Sequence, residues 1–130
     1  AEARASDVIA WTEGRALVAT GSPSAPVGWA GSTREIGQAN NAFVFPGLGL
    51  GAMLARVTEI TDTMVLAGAY AVADYTTEHH AQFGLIYPPL TELPVVSRRV
   101  AAAVVHRWAV VVARWVIQPS TNSQSTTWVL

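Results

Sequence analysis

The stretch LPVVSRRVAAAVVHRWAVVVARWVI, residues 93–117, sets the hardest condition on the fold. Its pattern predicts one long helix that is apolar almost all round. Such a helix has to be covered on most of its sides. A bilayer is a poor cover here. The stretch's longest apolar run, Val100 to Ile117, carries His106, Arg107 and Arg114, whereas a membrane helix wants about 20 nearly uncharged residues. The cover is therefore protein, and 130 residues, the length of one domain, leave little of it. The composition, 51% hydrophobic and 13% charged, is richer in apolar side chains than an ordinary globular chain. The expectation is a piece of something larger. The start, AEARASDVIAWTEGR, agrees: it has no methionine, no basic opening and no long apolar middle of the kind a signal peptide needs.

Charge removes further classes. Eight basic against nine acidic residues give a net charge of −1, too weak a field to gather nucleic acid or an anionic membrane. All the basic residues are arginines, so no ε-amine is available as a base or Schiff-base nucleophile. Cysteine is absent, which excludes disulfides, thiolate catalysis and Cys-based metal sites. A reducing compartment fits, and the cytoplasm is the expected location.

Along the chain, Ser6 and Asp7 predict a helix start, with Gly14 ending it as a C′ residue. RALVATG (15–21) predicts a short strand buried on both faces, as in a parallel sheet. Residues 21–42 predict a long loop of Gly, Ser, Pro and Asn, favoured as functional because it runs into an asparagine pair. Pro46 is placed to open a helix, with Leu50, Met53, Leu54 and Val57 forming one face. Thr61 opens another, lined inside by Val65, Ala69 and Val72 and fading near Asp74. HHAQFGLIYPPL is irregular, and the tail QPSTNSQSTTWVL is polar and frayed.

Four features invite chemistry. Gly47, Gly49 and Ala52 fit G-x-G-x-x-A, but a proline precedes them and no acid follows about 20 positions on. Close helix packing of glycines 47, 49 and 51 is the favoured account. Asn40 and Asn41 each offer two donors and an acceptor with two lone pairs. They can hold a hydroxy acid or a carboxamide beside a helix N-terminus, or merely close their own loop; both readings stand at this point. His79 and His80 lack a third ligand at zinc spacing and predict a solvated loop pair, while His106 predicts a core or interface position. The serines lack a G-x-S-x-G setting.

TEGRALVATGSP (12–23), IGQANNAFVFPGLGLG (36–51), ITD (60–62) and LIYPPL (85–90) resemble malic enzymes, in the same order and at similar spacing. GQANNAFVFPG is the longest and most particular of these. The resemblance runs from residue 1 to about residue 105. It implies an α/β fold, the C-terminal portion of a Rossmann-type NAD(P)-binding domain, helix-rich and with few strands. That portion would span residues 1–117, with 118–130 a divergent polar tail.

The resemblance also implies a function. Malic enzymes oxidatively decarboxylate malate to pyruvate and CO2, using NAD or NADP and a divalent cation, Mg2+ or Mn2+. The cation polarises the substrate oxygens and stabilises the enolate, and hydride passes to the nicotinamide. Asn40 and Asn41 fall in the motif at the malate and nicotinamide site, which makes them the expected substrate- or cofactor-binding residues. No catalytic residue and no metal ligand carries over. The family's catalytic lysine and tyrosine, its metal-binding acids and its dinucleotide fingerprint lie upstream of the resembling region. The implied partners are malate or pyruvate, NAD(P), the missing N-terminal domain of a parent enzyme and further copies in a homo-oligomer, with no nucleic acid and no membrane. The chain alone is expected to be inactive. Two rivals remain: malolactic enzyme, which shares the motifs and yields lactate, and a non-catalytic helical binding or assembly module.

Overall fold

The computed structural model describes residues 3–117, with side chains to residue 114; the expected polar tail lies outside the described residues. Four helices carry the architecture. They are α1 (Ala5–Trp11), α2 (Phe45–Leu54), α3 (Asp62–His79) and α4 (Leu93–Ile117). The strands are short: β1 (Ala19–Thr20), β2 (Val27–Trp29), β3 (Ser32–Arg34) and β4 (Gly37–Gln38). β1 pairs parallel with β4, and β2 pairs antiparallel with β3. The structure is thus helix-rich with few strands, as expected for this kind of α/β piece.

α4 runs over the predicted residues and is the spine of the molecule. Val96, Val100 and Val104 on its inner side are fully buried. They form one core with Phe43, Leu48, Met64, Val72 and Tyr75. Each buried side chain of this size stabilises the fold by about 1.5–3 kcal/mol. None of the described helices is long and apolar enough to cross a membrane.

α2 shows why it lies so close to α4. A Cβ on Gly47 would stand 2.5 Å from the Ser97 carbonyl oxygen and from Val100 Cβ. One on Gly51 would stand 2.7 Å from Val104 Cβ. The packing role assigned to these glycines is therefore correct for 47 and 51. Gly49 is different, since a Cβ there would meet nothing within 4 Å. The predicted inner face is also corrected. Leu50, Met53 and Leu54 are exposed and only Val57 packs on the core; the buried side is Gly47, Leu48 and Gly51. Periodicity counts large apolar residues, and here the seam is made of backbone.

The inner face of α3 is corrected by one position for the same reason. Met64, Gly68, Val72, Tyr75 and Thr76 are buried, while Val65 and Ala69 are exposed. Gly68 lies 3.2 Å, measured from a built Cβ, from Val100 Cγ1. Thr76 is tolerated inside because its hydroxyl donates to the Val72 carbonyl at 2.8 Å. The helix continues past Asp74 to His79.

Two further expectations change. The 21–42 segment is not all loop. Ala30 (φ 48°) and Gly31 (φ 78°) make the tight turn of a hairpin, with Trp29 opposite Ser32. Alanine at a left-handed position hides the usual Asn-Gly signal of such a turn. The α1 end is also built differently. Glu13 takes the left-handed C′ position (φ 53°) and donates to the Ala10 carbonyl, while Gly14 follows it and donates to Ile9 at 2.8 Å. Gly14 (φ 76°) is needed twice over, because the Trp29 indole lies where its Cβ would be.

Candidate functional site

Because β1 and β4 are parallel, their carboxyl ends open on the same side, the place where open α/β sheets hold ligands. Three hydrogen bonds shape that end. Ala39 donates its N–H to the Thr20 carbonyl at 2.9 Å. Gln38 Nε2 donates to the Gly21 carbonyl at 3.2 Å. Thr20 Oγ1 donates to the Ser22 carbonyl at 2.8 Å. The GSP loop after β1 and the Asn40–Asn41 segment after β4 are thereby held side by side. Gln38 and Thr20 went unremarked in the sequence, since nothing local marks a side chain that bridges two distant loops.

The asparagine pair divides. Asn40 is extended (φ −134°, ψ 128°) and its side-chain oxygen accepts from the Ala42 N–H at 2.9 Å, capping the 3₁₀ turn Asn41–Phe43. That is the loop-closing role for its oxygen. Asn41 is exposed, and its carboxamide makes no hydrogen bond among the described residues. The turn is anchored by Phe43, which is fully buried and stacks against Tyr87 with ring centroids 6.0 Å apart. It leads straight into α2, with Pro46 in its first turn. The α2 start is a weaker anion site than its sequence suggests. The Val44 N–H is taken by the Asn41 carbonyl, and Pro46 has no N–H to offer.

Beside this end lies a cleft of about 210 Å³, walled by Pro23 and Ser24, by Glu35 to Gln38, and by Leu85 and Tyr87 to Leu90. Asn40 and Asn41 are not among its walls.

The histidine pair is corrected. His79 is the last residue of α3, and His80 caps it rather than sitting in a solvated loop. His80 Nε2 lies 2.7 Å from Glu92 Oε2, which also accepts from the Tyr75 hydroxyl at 2.8 Å. The His80 and Tyr75 hydrogen bonds hold the Glu92 carboxyl below the ordinary glutamate value. The hydrogen bond to Glu92, with burial behind it, pushes the Tyr75 hydroxyl up. Arg99 lies over the Tyr75 ring, 5.0 Å from its centroid, and pairs with Glu78 at 2.7 Å. This cluster ties the end of α3 to the start of α4. His106 is exposed on α4. Among the described residues no three His, Cys, Asp or Glu side chains gather closely enough to hold a metal ion. The divalent cation implied by the resemblance is not fitted by them.

The family model described as "Malic enzyme, NAD binding domain" matches residues 1–109. The NADP-dependent malic enzyme 4, chloroplastic, of Arabidopsis thaliana is 44% identical over 103 residues, covering 79% of this chain and 16% of that protein. The NAD-dependent malic enzymes of Salmonella arizonae and Salmonella typhi are each 46% identical over 103 residues, covering 79% of this chain and 18% of theirs. The chain thus spans less than a fifth of the length of the relatives it matches. With the quoted motifs lying inside a matched region that takes in most of its length, the chain belongs to the malic enzyme NAD-binding domain family.

Proposed function

We propose that the chain supplies the carboxyl-end loops of the malate and nicotinamide site in a longer NAD(P)-dependent malic enzyme, and that it is inactive alone. One observation supports this most. Asn41 leaves the end of a parallel strand with its whole carboxamide unspent, while its neighbour Asn40 gives up its oxygen to hold the turn. The Asn41 amide can donate to a carboxylate, hydroxyl or carboxamide oxygen, and its carbonyl can accept from a hydroxyl or an amide. Asn40 keeps only its NH2 group for a ligand. Their work is to bind and orient malate beside the cofactor. No step is assigned to a metal ion, whose ligands are not gathered among the described residues.

The test is Asn41→Ala in a complete enzyme carrying this segment. The expected result is a drop in kcat/KM of about fivefold to 150-fold, from loss of a polar contact worth about 1–3 kcal/mol in a desolvated site. Unchanged kcat/KM returns the pair to loop closure. The non-catalytic assembly reading has its own support in the exposed Leu50, Met53 and Leu54 of α2. A tight homo-oligomer of the chain with no heat on malate titration favours it.

A further inference from the structure

The β1–β4 ladder ends one residue before the asparagine pair. Its last bond is the Ala39 N–H on the Thr20 carbonyl at 2.9 Å, and among the described residues no backbone bond joins the two loops beyond it. Strands this short leave little ladder to set how far apart those loops stand. A side chain takes over. Gln38, the last residue of β4, reaches across 17 residues of sequence and donates Nε2 to the Gly21 carbonyl at 3.2 Å. Gly21 is the first residue after β1 and opens the GSP loop. Thr20 Oγ1 folds that loop back by donating to the Ser22 carbonyl at 2.8 Å. Gln38 and Asn40 are two apart on an extended segment, Asn40 having φ −134° and ψ 128°, so both side chains leave the same side of it. The strands do not need the Gln38 amide, since their backbone pairing is made without it. Its bond is exposed, where the net worth of one hydrogen bond to the fold is small. What the bond does set is the distance between two loops at the mouth of the candidate site.

We infer that Gln38 is a positioning residue for the proposed malate and nicotinamide site. Its carboxamide fixes the gap between the GSP loop and the Asn40–Asn41 turn, and so fixes where the free Asn41 carboxamide meets a ligand. The inference rests on the proposed function, because Gln38 acts only through Asn41. A site group displaced by about 1 Å can lose up to about 10²-fold in rate, so a brace of little worth to stability can matter to turnover. The chemistry required at position 38 is narrow. The side chain has to donate, because its Gly21 partner is a carbonyl. It also has to be long enough to pass from one strand end to the other. Leucine has a similar bulk and no donor. Glutamate has the same shape and donates only when protonated, which makes the brace depend on pH.

The test is a double-mutant cycle in a complete enzyme carrying this segment, with rates referred to folded enzyme. Gln38→Leu is expected to lower kcat/KM for malate by about tenfold, with Tm within a few degrees of the wild type. In an Asn41→Ala background the same change should cost less than about twofold, because the group it positions is gone. Gln38→Glu carries the second readout. Its deficit, taken against the wild type at each pH, should narrow by about twofold between about pH 8 and about pH 5, as the carboxyl gains a proton to donate. Gln38→Leu should show no such narrowing. Wild-type kcat/KM in Gln38→Leu, full multiplication of the two single effects, or a Gln38→Glu deficit that is flat with pH would each overturn the inference. With Asn41→Ala impaired on its own, those results leave the proposed function standing. Wild-type kcat/KM in Asn41→Ala overturns the proposed function and this inference together, and that single variant tells the two failures apart.

Discussion

Two adjacent asparagines with one sequence description do different physical work. Asn40 caps a 3₁₀ turn through its side-chain oxygen, so Asn40→Ala is expected to destabilise the chain by about 1 kcal/mol, the usual worth of such a cap. Asn41 makes no bond among the described residues and is exposed, so Asn41→Ala should change stability by less than about 0.5 kcal/mol. Urea melts of the two variants check this; equal losses would mean that both side chains serve the loop. The pair was legible as a pair, because its residue types announce hydrogen bonding. Which member is spent was not, because that depends on the extended backbone of Asn40 ahead of the 3₁₀ turn, which its residue type does not specify. Glu92 was not legible at all, since its partners Tyr75 and His80 are 17 and 12 residues away. Its lowered carboxyl has a definite sign. The charged form is favoured in the fold, so the stabilisation is present above the ordinary value of 4.5 and is lost as pH falls through the lower folded value. Thermal melts from pH 6 down to pH 3 should show Tm dropping more steeply for the wild type than for Glu92→Gln; parallel profiles would remove Glu92 from the account.

At the scale of elements, helix starts were easier to read than helix ends or faces. α4 opens at Leu93, where its pattern opens, and α2 opens near Pro46, because apolar patterning and proline chemistry are local. The inner faces of α2 and α3 escaped because glycine, the least hydrophobic choice, lines the seam with α4. Three glycines of α2 make this testable. Gly47→Ala and Gly51→Ala would drive a methyl to 2.5 and 2.7 Å from α4 atoms, and should each cost about 1–3 kcal/mol as overpacking. Gly49→Ala meets nothing within 4 Å and should instead stabilise by up to about 1 kcal/mol, the difference in helix propensity. Opposite signs from one helix, read by Tm, would establish which side touches α4. Destabilisation at all three positions would mean that the seam is not where the glycines place it.

At the scale of the whole molecule, the described residues leave apolar surface uncovered, in the direction the composition implied. Met53 and Leu54 are 72% and 64% exposed, and Leu54 borders an apolar groove of about 600 Å³ that continues onto Ala102, Val105 and Ala109 of α4. The sequence announced that α4 needs cover. It did not reveal that, among the described residues, α2 and α3 pack on the side of α4 that carries Val96, Val100 and Val104, because that depends on how closely glycine lets them approach. Surface of this kind drives self-association when nothing else occupies it. Met53→Glu with Leu54→Glu should therefore raise the solubility of the isolated chain and reduce association in light scattering. Tm should hold to within a few degrees, because side chains already in water lose no core packing. A collapse of Tm in the double variant would place these residues in the core after all. A rise in solubility with Tm intact would leave them as surface that a larger protein has reason to bury.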